Sequence, residues 1–185
     1  MALPLSFLLD ADWNRLNQLS AMPARKRRWS AHFSPRFLPV VLIRLAGACH
    51  GAGWRRTAKF WSFVNFVLFG IEVPARLEIG PGLVLPHTQG TVLGAAAIGS
   101  NVTIFHQVTL GAREADFGYD PATRPTISDH VTLSVGAKVL GPVHIASNVV
   151  VAANAVVLSD VPAGSLAAGV PAVVRPRSGP DVASA

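Results

Sequence analysis

The sequence has little cysteine, little charge and no long apolar run, and each shortage excludes a class of protein. Cys49 is the only cysteine among 185 residues, which excludes an internal disulfide framework and a cysteine-rich zinc site and fits a reducing, cytoplasmic compartment. Charged residues make up 14% of the chain, against the roughly 25% usual in soluble domains. The longest apolar runs, such as Phe60–Phe69, are well short of the ~20 residues that span a bilayer. No secretory signal is predicted, because the start is not basic and contains Asp10 and Asp12.

Charge and aromatic residues are concentrated near the start of the chain. Residues 1–70 carry ten basic and two acidic residues, a net charge of +8, whereas residues 71–185 carry six basic and eight acidic residues, a net charge of −2. All four tryptophans and seven of the nine phenylalanines precede Gly70. The composition predicts a basic, aromatic-rich helical lead-in over residues 1–70, a different structure over residues 71–174, and a C-terminal tail over residues 175–185. The net charge of +6 therefore belongs to the lead-in, and nucleic acid is not expected as a partner.

Residues 71–174 repeat with a period of six. Aliphatic side chains recur at the first position of each hexad, and a small or aliphatic residue follows four places later. The first positions are Val73, Ile79, Leu85, Val92, Ile98, Ile104, Leu110, Ile127, Leu133, Val139, Ile145, Val151 and Val157. This repeat predicts a parallel β-helix in which three hexads make one triangular coil and residues about eighteen apart stack on each other. Positions one and five fill the interior, and Gly, Asn and Asp suit the corners.

Two interruptions break the period. One extra residue is predicted around Gln89–Thr91, and a longer loop over residues 112–124 leaves the stack. A long loop on a regular scaffold is often functional. The alternative is a solvated insertion without a role.

The repeat region resembles a known family in three motifs. They are the His-x-x-Gly segment at His87–Gly90, the Val-Thr-Leu-Gly segment at Val108–Gly111, and the closing Ala-Gly-Val-Pro-Ala at Ala168–Ala172. The chain resembles the serine acetyltransferase branch of the hexapeptide-repeat acyltransferases, which includes exopolysaccharide O-acetyltransferases. The resemblance implies a left-handed β-helix, a homotrimer, and transfer of an acetyl group from acetyl-CoA, with no metal. A non-catalytic, structural or binding β-helix protein remains the alternative.

Histidine is the expected catalytic residue. A hydroxyl acceptor needs a base before it can attack a thioester, and a neutral imidazole suits that role near pH 7. His87 matches the catalytic histidine of the resembled family. His106 follows nineteen residues later, which is one coil plus the inserted residue, so the two imidazoles are predicted to stack. His106 is either part of the site or a plain polar rung. The other histidines are predicted to lie on the surface: His32, His50, His130 and His144.

The resemblance also implies a cofactor groove and leaves the acceptor open. The expected cofactor-binding residues are Gly111, Ala112, Gly136, Ala137, Ala153, Gly169, Pro171 and Arg175. Serine acetyltransferases usually carry an Asp before the catalytic His and a second His in the loop, where this chain has Pro86 and Arg124. The acceptor is therefore either serine or a sugar hydroxyl of a cell-envelope glycan. The expected substrate-binding residues are Arg113, Asp116, Tyr119, Asp120 and Arg124.

Two apolar stretches of the lead-in, Phe37–Ala48 and Phe60–Phe69, are predicted to be short helices. They are interpreted as a cap that packs on the first coil or between protomers. The alternative is shallow contact with the anionic inner face of the cell membrane, since Arg and Lys beside Trp and Phe suit such a surface.

Overall fold

A computed structural model describes residues 3–21 and 26–177. Three α-helices come first, α1 (Leu5–Leu19), α2 (Leu38–Gly51) and α3 (Arg55–Phe69), with a short 3₁₀ helix at Trp29–Phe33 between the first two. The predicted stretch Phe60–Phe69 falls within α3, and Phe37–Ala48 matches α2 except that Phe37 is the residue before the helix. Helix α3 ends at Phe69, where the composition changes. Most of the predicted tail, residues 178–185, lies outside the described residues. No helix in the described part of the chain is long and apolar enough to cross a membrane.

Helix α1 was not predicted, and a buried ion pair fixes it to the coil. Asp12 is fully buried and accepts hydrogen bonds at 2.8 and 2.9 Å from the guanidinium of Arg44 on α2. The same carboxylate accepts the backbone N–H groups of Gly82 and Leu83, both at 2.8 Å. Arg44 in turn donates to the carbonyl of Gly80. Every charge-bearing atom of the pair is therefore bonded, which is the condition for tolerating two charges in a protein interior.

Fourteen short strands follow and wind into coils. Sheet A contains β1 (Ile71–Glu72), β3 (Thr91–Leu93), β6 (Thr109–Gly111), β9 (Lys138–Leu140) and β12 (Val156–Val157). Sheet B contains β2 (Glu78–Ile79), β4 (Ala97–Ile98), β7 (Thr126–Ile127) and β10 (His144–Ile145). Sheet C contains β5 (Thr103–Ile104), β8 (Thr132–Leu133), β11 (Val150–Val151), β13 (Ser165–Ala168) and β14 (Val173–Pro176). All pairs are parallel except β13 with β14, a hairpin that closes the coil.

The hexad positions fill the interior as predicted. The side chains of Ile104, Leu133 and Val151 are fully buried and lie in register in successive coils of sheet C. Position-five residues such as Val102 and Val131 are also fully buried. A continuous column of aliphatic side chains therefore replaces the single globular core, as expected for a repeat protein.

The prediction for one hexad was wrong by one residue. Leu93, not Val92, is fully buried and pairs with Leu110. The interval from Leu85 to Leu93 is two residues longer than the period of six, and the interval from Leu93 to Ile98 is one residue shorter. The coil as a whole therefore still contains one extra residue. Gly94 explains the shorter interval after Leu93, because a Cβ at Gly94 would lie 2.7 Å from the Leu110 carbonyl oxygen. Its missing side chain lets the chain turn early.

Candidate active site

His87 and His106 meet at the edge between sheets C and A, here called the C–A edge. His87 is exposed on the segment after Leu85, and its ring centroid lies 5.4 Å from that of His106, with the planes at 86°. This confirms the predicted stacking of the two imidazoles, while their roles remain predictions. His106 Nδ1 is shielded from solvent and has no hydrogen-bond partner among the described residues. A buried polar atom left unpaired is uncommon and points to a partner such as a ligand or water.

Several expected cofactor-binding residues lie along the same edge. Gly136 donates its N–H to the His106 carbonyl, and Ala153 occupies the matching turn one coil further on. The turn of the closing hairpin reaches this edge too, because the carbonyl of Gly169 accepts the N–H of Val156. Pro171 lies exposed in that turn. The C–A edge thus carries a row of small residues that begins beside the two imidazoles.

One member of the expected cofactor set faces the interior, and another is set by the turn in which it lies. Ala137 is fully buried in the coil, so its side chain has no access to the outer surface. Gly136 is buried at φ +71°, a backbone conformation that glycine adopts without strain, and a Cβ there would clash with Asn154 Oδ1. Arg175 lies exposed on β14, opposite Leu166 of β13.

A cavity of about 520 Å³ adjoins His87. It lies between the C-terminal half of α1 and the outer face of sheet C, and α1 contributes Arg15 and Leu16. The sequence did not predict this cavity. One wall of the cavity was foreshadowed in the repeat: Asn101, His130 and Asn148 occupy the same corner of successive coils, and all have positive φ. The arginines of its wall come from outside the repeat and carry no such signal.

The loop over residues 112–124 leaves from the opposite edge of sheet A, here called the A–B edge. Gly111 ends strand β6 with open space where a Cβ would lie, and Ala112 follows it half-buried. Strands of sheet A are two or three residues long, so at about 3.3 Å per residue the two edges lie roughly 10 Å apart. The loop residues and the histidines of one chain therefore belong to different edges of the coil.

The polar residues of the loop bind each other. Arg124 is only 9% exposed, and its guanidinium donates to Asp116 at 2.8 Å and to the carbonyl of Gly94 at 3.0 Å. The ring of Tyr119 lies 3.8 Å beneath that guanidinium, and its hydroxyl donates to the Ala95 carbonyl. Each of the three side chains is thus held by the other two or by the coil.

The charges of this cluster shift two pKa values. Burial acts to raise the pKa of Asp116, but hydrogen bonds from Arg124 and from the backbone N–H of Asp120 outweigh it, so the pKa lies below its ordinary 3.8. Burial raises the pKa of the Tyr119 phenol above 10.0, against the opposing effect of Arg124 and Arg76. Both groups keep their usual charge state at neutral pH.

The remaining loop residues also have internal partners. Arg113 donates to the carbonyls of Leu140 and Leu158, and it packs where a Cβ on Gly141 would lie. Asp120 accepts the N–H of Ala122 at 2.9 Å, which caps the 3₁₀ turn Pro121–Thr123. Arg113, Tyr119 and Arg124 therefore hold the loop on the coil, whereas Asp116 and Asp120 make their bonds within the loop. In the described part of the chain, no three His, Cys, Asp or Glu side chains are grouped to hold a metal ion.

Comparison with known proteins identifies the family. No protein-family model matches the chain. Serine acetyltransferase of Helicobacter pylori strain 26695 is 36% identical over 164 residues, which cover 88% of this chain and 94% of that protein. Serine acetyltransferase from Brucella abortus strain S19, solved in complex with coenzyme A, is 30% identical with a TM-score of 0.80 over 94% of this chain and 68% of that chain. The Neisseria gonorrhoeae enzyme, solved in complex with serine, is 30% identical with a TM-score of 0.78 over 91% of this chain and 68% of that chain.

These structures confirm the predicted fold class, a left-handed parallel β-helix preceded by an α-helical region. They also decide between an enzyme and the non-catalytic alternative, because the relatives are acetyltransferases. The similarity to the Helicobacter protein extends over nearly the whole length of that protein. The chain is an acyltransferase and belongs to the serine acetyltransferase family.

Proposed function

We propose that this protein transfers the acetyl group of acetyl-CoA to a hydroxyl, with His87 as the general base. The observation that carries the proposal is an exposed imidazole at the C–A edge, between a row of small residues and a ligand-sized cavity. Relatives solved with coenzyme A and with serine support the two substrates. The small residues suit the pantetheine arm of acetyl-CoA, and the cavity suits the acceptor.

The chemical step needs no covalent enzyme intermediate. His87 accepts the proton of the acceptor hydroxyl as its oxygen attacks the thioester carbonyl carbon. The tetrahedral intermediate collapses with breakage of the carbon–sulfur bond, and the imidazolium returns the proton to the leaving thiolate. The products are an O-acetyl ester and CoA with a free thiol, and His87 is neutral again. General-base catalysis of this kind contributes about 10²- to 10⁴-fold in rate.

Two acceptors are consistent with this step. Serine is the acceptor that the names of the relatives carry. A sugar hydroxyl of an exopolysaccharide or other cell-envelope glycan is favoured by the wall beside His87, where Pro86 stands and where the described lining residues include no Asp or Glu. A zwitterionic serine would find no carboxylate there for its ammonium group.

An acceptor screen tests the proposal. Acetyl-CoA and the intact protein are incubated with serine, with nucleotide sugars and with neutral saccharides, and products are identified by a mass increase of one acetyl group. We expect a stable O-acetyl product that requires His87, so the His87→Ala protein serves as the blank. Release of CoA without an acetylated acceptor, at the same rate in both proteins, would contradict the proposed reaction.

A homotrimer is part of the proposal. The two edges of sheet A carry different halves of the expected site, the histidines on one and Gly111 and Ala112 on the other. A three-fold arrangement of coils places the A–B edge of one protomer beside the C–A edge of the next, and so assembles one groove from two chains. Light scattering after gel filtration is expected to give three times the 19.5 kDa mass of the chain.

Helix α3 is proposed as the contact with an anionic membrane at the cytoplasmic face. Phe63 is 63% exposed and Phe66 is 55% exposed, and both lie on a helix that begins with Arg55 and Arg56 and has no acidic residue. Exposed aromatic side chains next to basic ones are typical of helices at the surface of anionic bilayers. We expect flotation with vesicles that contain anionic lipid and its loss in Phe63→Ser. A wild-type protein that does not float at moderate salt would remove the proposal.

A further inference from the structure

The cavity beside His87 is positively charged on one wall. Arg15 reaches it from α1, Arg36 from the segment before α2, and Arg177 from the residues after β14. His130 adds an imidazole, and no Asp or Glu is among the described residues that line the cavity. Three arginines from separate parts of the chain thus line one space. Three positive charges around one space are unfavourable unless an anion neutralises them.

Among the described residues, none of the three arginines forms an ion pair with an acidic side chain. In the described ranges the ion pairs join Asp10, Asp12 and Asp116 to other arginines. Arg15 Nε is shielded from solvent and has no hydrogen-bond partner there. A buried guanidinium N–H left unpaired is costly, and the fork of Arg matches the oxygens of a phosphate. An anion with several acceptor oxygens would supply the missing partner.

The wall formed by sheet C is polar and regular. Thr103 and Thr132 lie directly opposite each other on paired strands β5 and β8. Asn101 stands at the corner of the coil that contains β5, and Asn148 stands at the same corner of the coil that contains β11. Phe105, which precedes His106, also lines the cavity. Hydroxyl and amide groups at the spacing of about 4.8 Å between strands suit a ligand that carries several hydroxyls. A sugar has this arrangement, and serine does not.

We infer that the cavity binds a phosphorylated sugar as the acetyl acceptor, with the phosphate on Arg15 and Arg36 and the sugar against Thr103 and Thr132. The inference rests on the proposed function, because it names the acceptor class of that reaction. The sugar then lies between the arginines and His87, so that one of its hydroxyls reaches the imidazole. The phosphate itself takes no part in the chemistry and selects the substrate by charge.

Calorimetric binding without acetyl-CoA tests the inference separately from catalysis. The probes are UDP-glucose and glucose 1-phosphate, with glucose and serine as uncharged and zwitterionic comparisons. We expect the phosphorylated sugars to bind and the other two to bind at least tenfold more weakly. Removing one charge-assisted bond should weaken binding about 10- to 100-fold, so Arg15→Gln and Arg36→Gln should each raise the Kd by that factor. Equal binding of glucose and glucose 1-phosphate would overturn the inference.

A matched variant and a kinetic measurement identify the source of the phosphate. Arg28→Gln removes one charge from an exposed position outside this cavity and should leave the Kd unchanged. CoA also carries phosphates, so the KM for acetyl-CoA is measured in the same variants. A rise confined to the KM for acetyl-CoA in Arg15→Gln and Arg36→Gln would overturn the inference in favour of CoA. Acetylation of neutral saccharides with unchanged kcat/KM in these variants would also overturn it, while leaving the proposed O-acetyl transfer intact.

Discussion

The two edges of sheet A carry polar residues in opposite states. At the A–B edge, Arg124, Asp116 and Tyr119 are bonded to one another and to backbone carbonyls of the coil. At the C–A edge, His87 is exposed, and Nδ1 of His106 has no hydrogen-bond partner in the described part of the chain. From the sequence alone, the loop over residues 112–124 resembles a ligand site more than the C–A edge does, because the loop is rich in charged residues.

This difference separates polar groups that stabilise the fold from groups that are available to a ligand. A buried polar side chain whose bonds are all made within the protein would have to lose them before it binds anything else. A side chain without partners carries a cost that a ligand can remove. We therefore expect substitutions at the C–A edge to change kinetics and substitutions at the A–B edge to change stability first.

The largest expected effect is the loss of His87. His87→Ala should lower kcat about 10²- to 10⁴-fold, because the acceptor hydroxyl loses its base. The melting temperature should stay within about 2 °C, since an exposed side chain contributes little to stability. His50→Ala, an exposed histidine on α2, is the matched control. A His87→Ala protein that keeps more than a third of its kcat would refute the assignment of the base.

Loss of Arg124 should act on stability. Arg124→Ala removes the guanidinium from Asp116 and Tyr119 and should lower the free energy of unfolding, because both side chains lose a partner. Urea unfolding measures this decrease, and kcat for the acceptor should change by less than about threefold. Unchanged stability combined with a raised KM for the acceptor would contradict a stabilising role for the A–B edge and would support the substrate-binding role expected from the sequence.

The sequence predicted the features that depend on spacing. The period of six predicted the coil, and the nineteen residues between His87 and His106 predicted their contact, because stacking distance follows directly from the number of residues in a coil. The interior position at Leu93 was missed, since the count of residues does not say on which side of the turn the extra one lies.

Features that depend on partners were not predictable in the same way. Asp12 and Arg44 are separated by 32 positions and pair through the cap, and nothing in their local sequence shows this. Arg124 carries a charge that suits a ligand, yet its guanidinium forms an ion pair with Asp116. Helix α1 was overlooked although its apolar residues at Leu5, Leu9, Trp13 and Leu16 have helical spacing.

A smaller effect is expected at His106. Truncation to Ala should lower kcat on the order of tenfold, less than loss of the base itself, because His106 contacts His87 and acts through its position. His106→Gln keeps a hydrogen-bonding side chain and should recover part of that loss. A positioning role predicts a fall in kcat with little change in the KM for acetyl-CoA. A change confined to thermal stability in both variants would instead show that His106 only stabilises the coil.

The smallest effect is in the titration of the loop. The pKa of Asp116 is lowered, so its contribution to stability is complete above the ordinary carboxyl value of 3.8 and is lost as the pH falls through the lowered value. The chain has one tyrosine, so ¹³C-labelled Tyr119 gives a single ring signal for NMR. The chemical shift of that signal should stay constant from pH 7 to about pH 4 and change only below pH 4. In Arg124→Ala the change should begin at a higher pH, because Asp116 has lost the guanidinium that lowers its pKa. A change already complete at pH 5 would contradict the ion pair.

Protection of individual histidines by acetyl-CoA tests whether the cofactor binds at the C–A edge. The protein is treated with diethylpyrocarbonate with and without acetyl-CoA, and the modification of each histidine is measured by mass spectrometry. We expect acetyl-CoA to protect His87 at the C–A edge and to leave the exposed His50 on α2 as reactive as before. Equal modification of His87 in the presence and absence of acetyl-CoA, at concentrations that saturate binding, would contradict the location of the site.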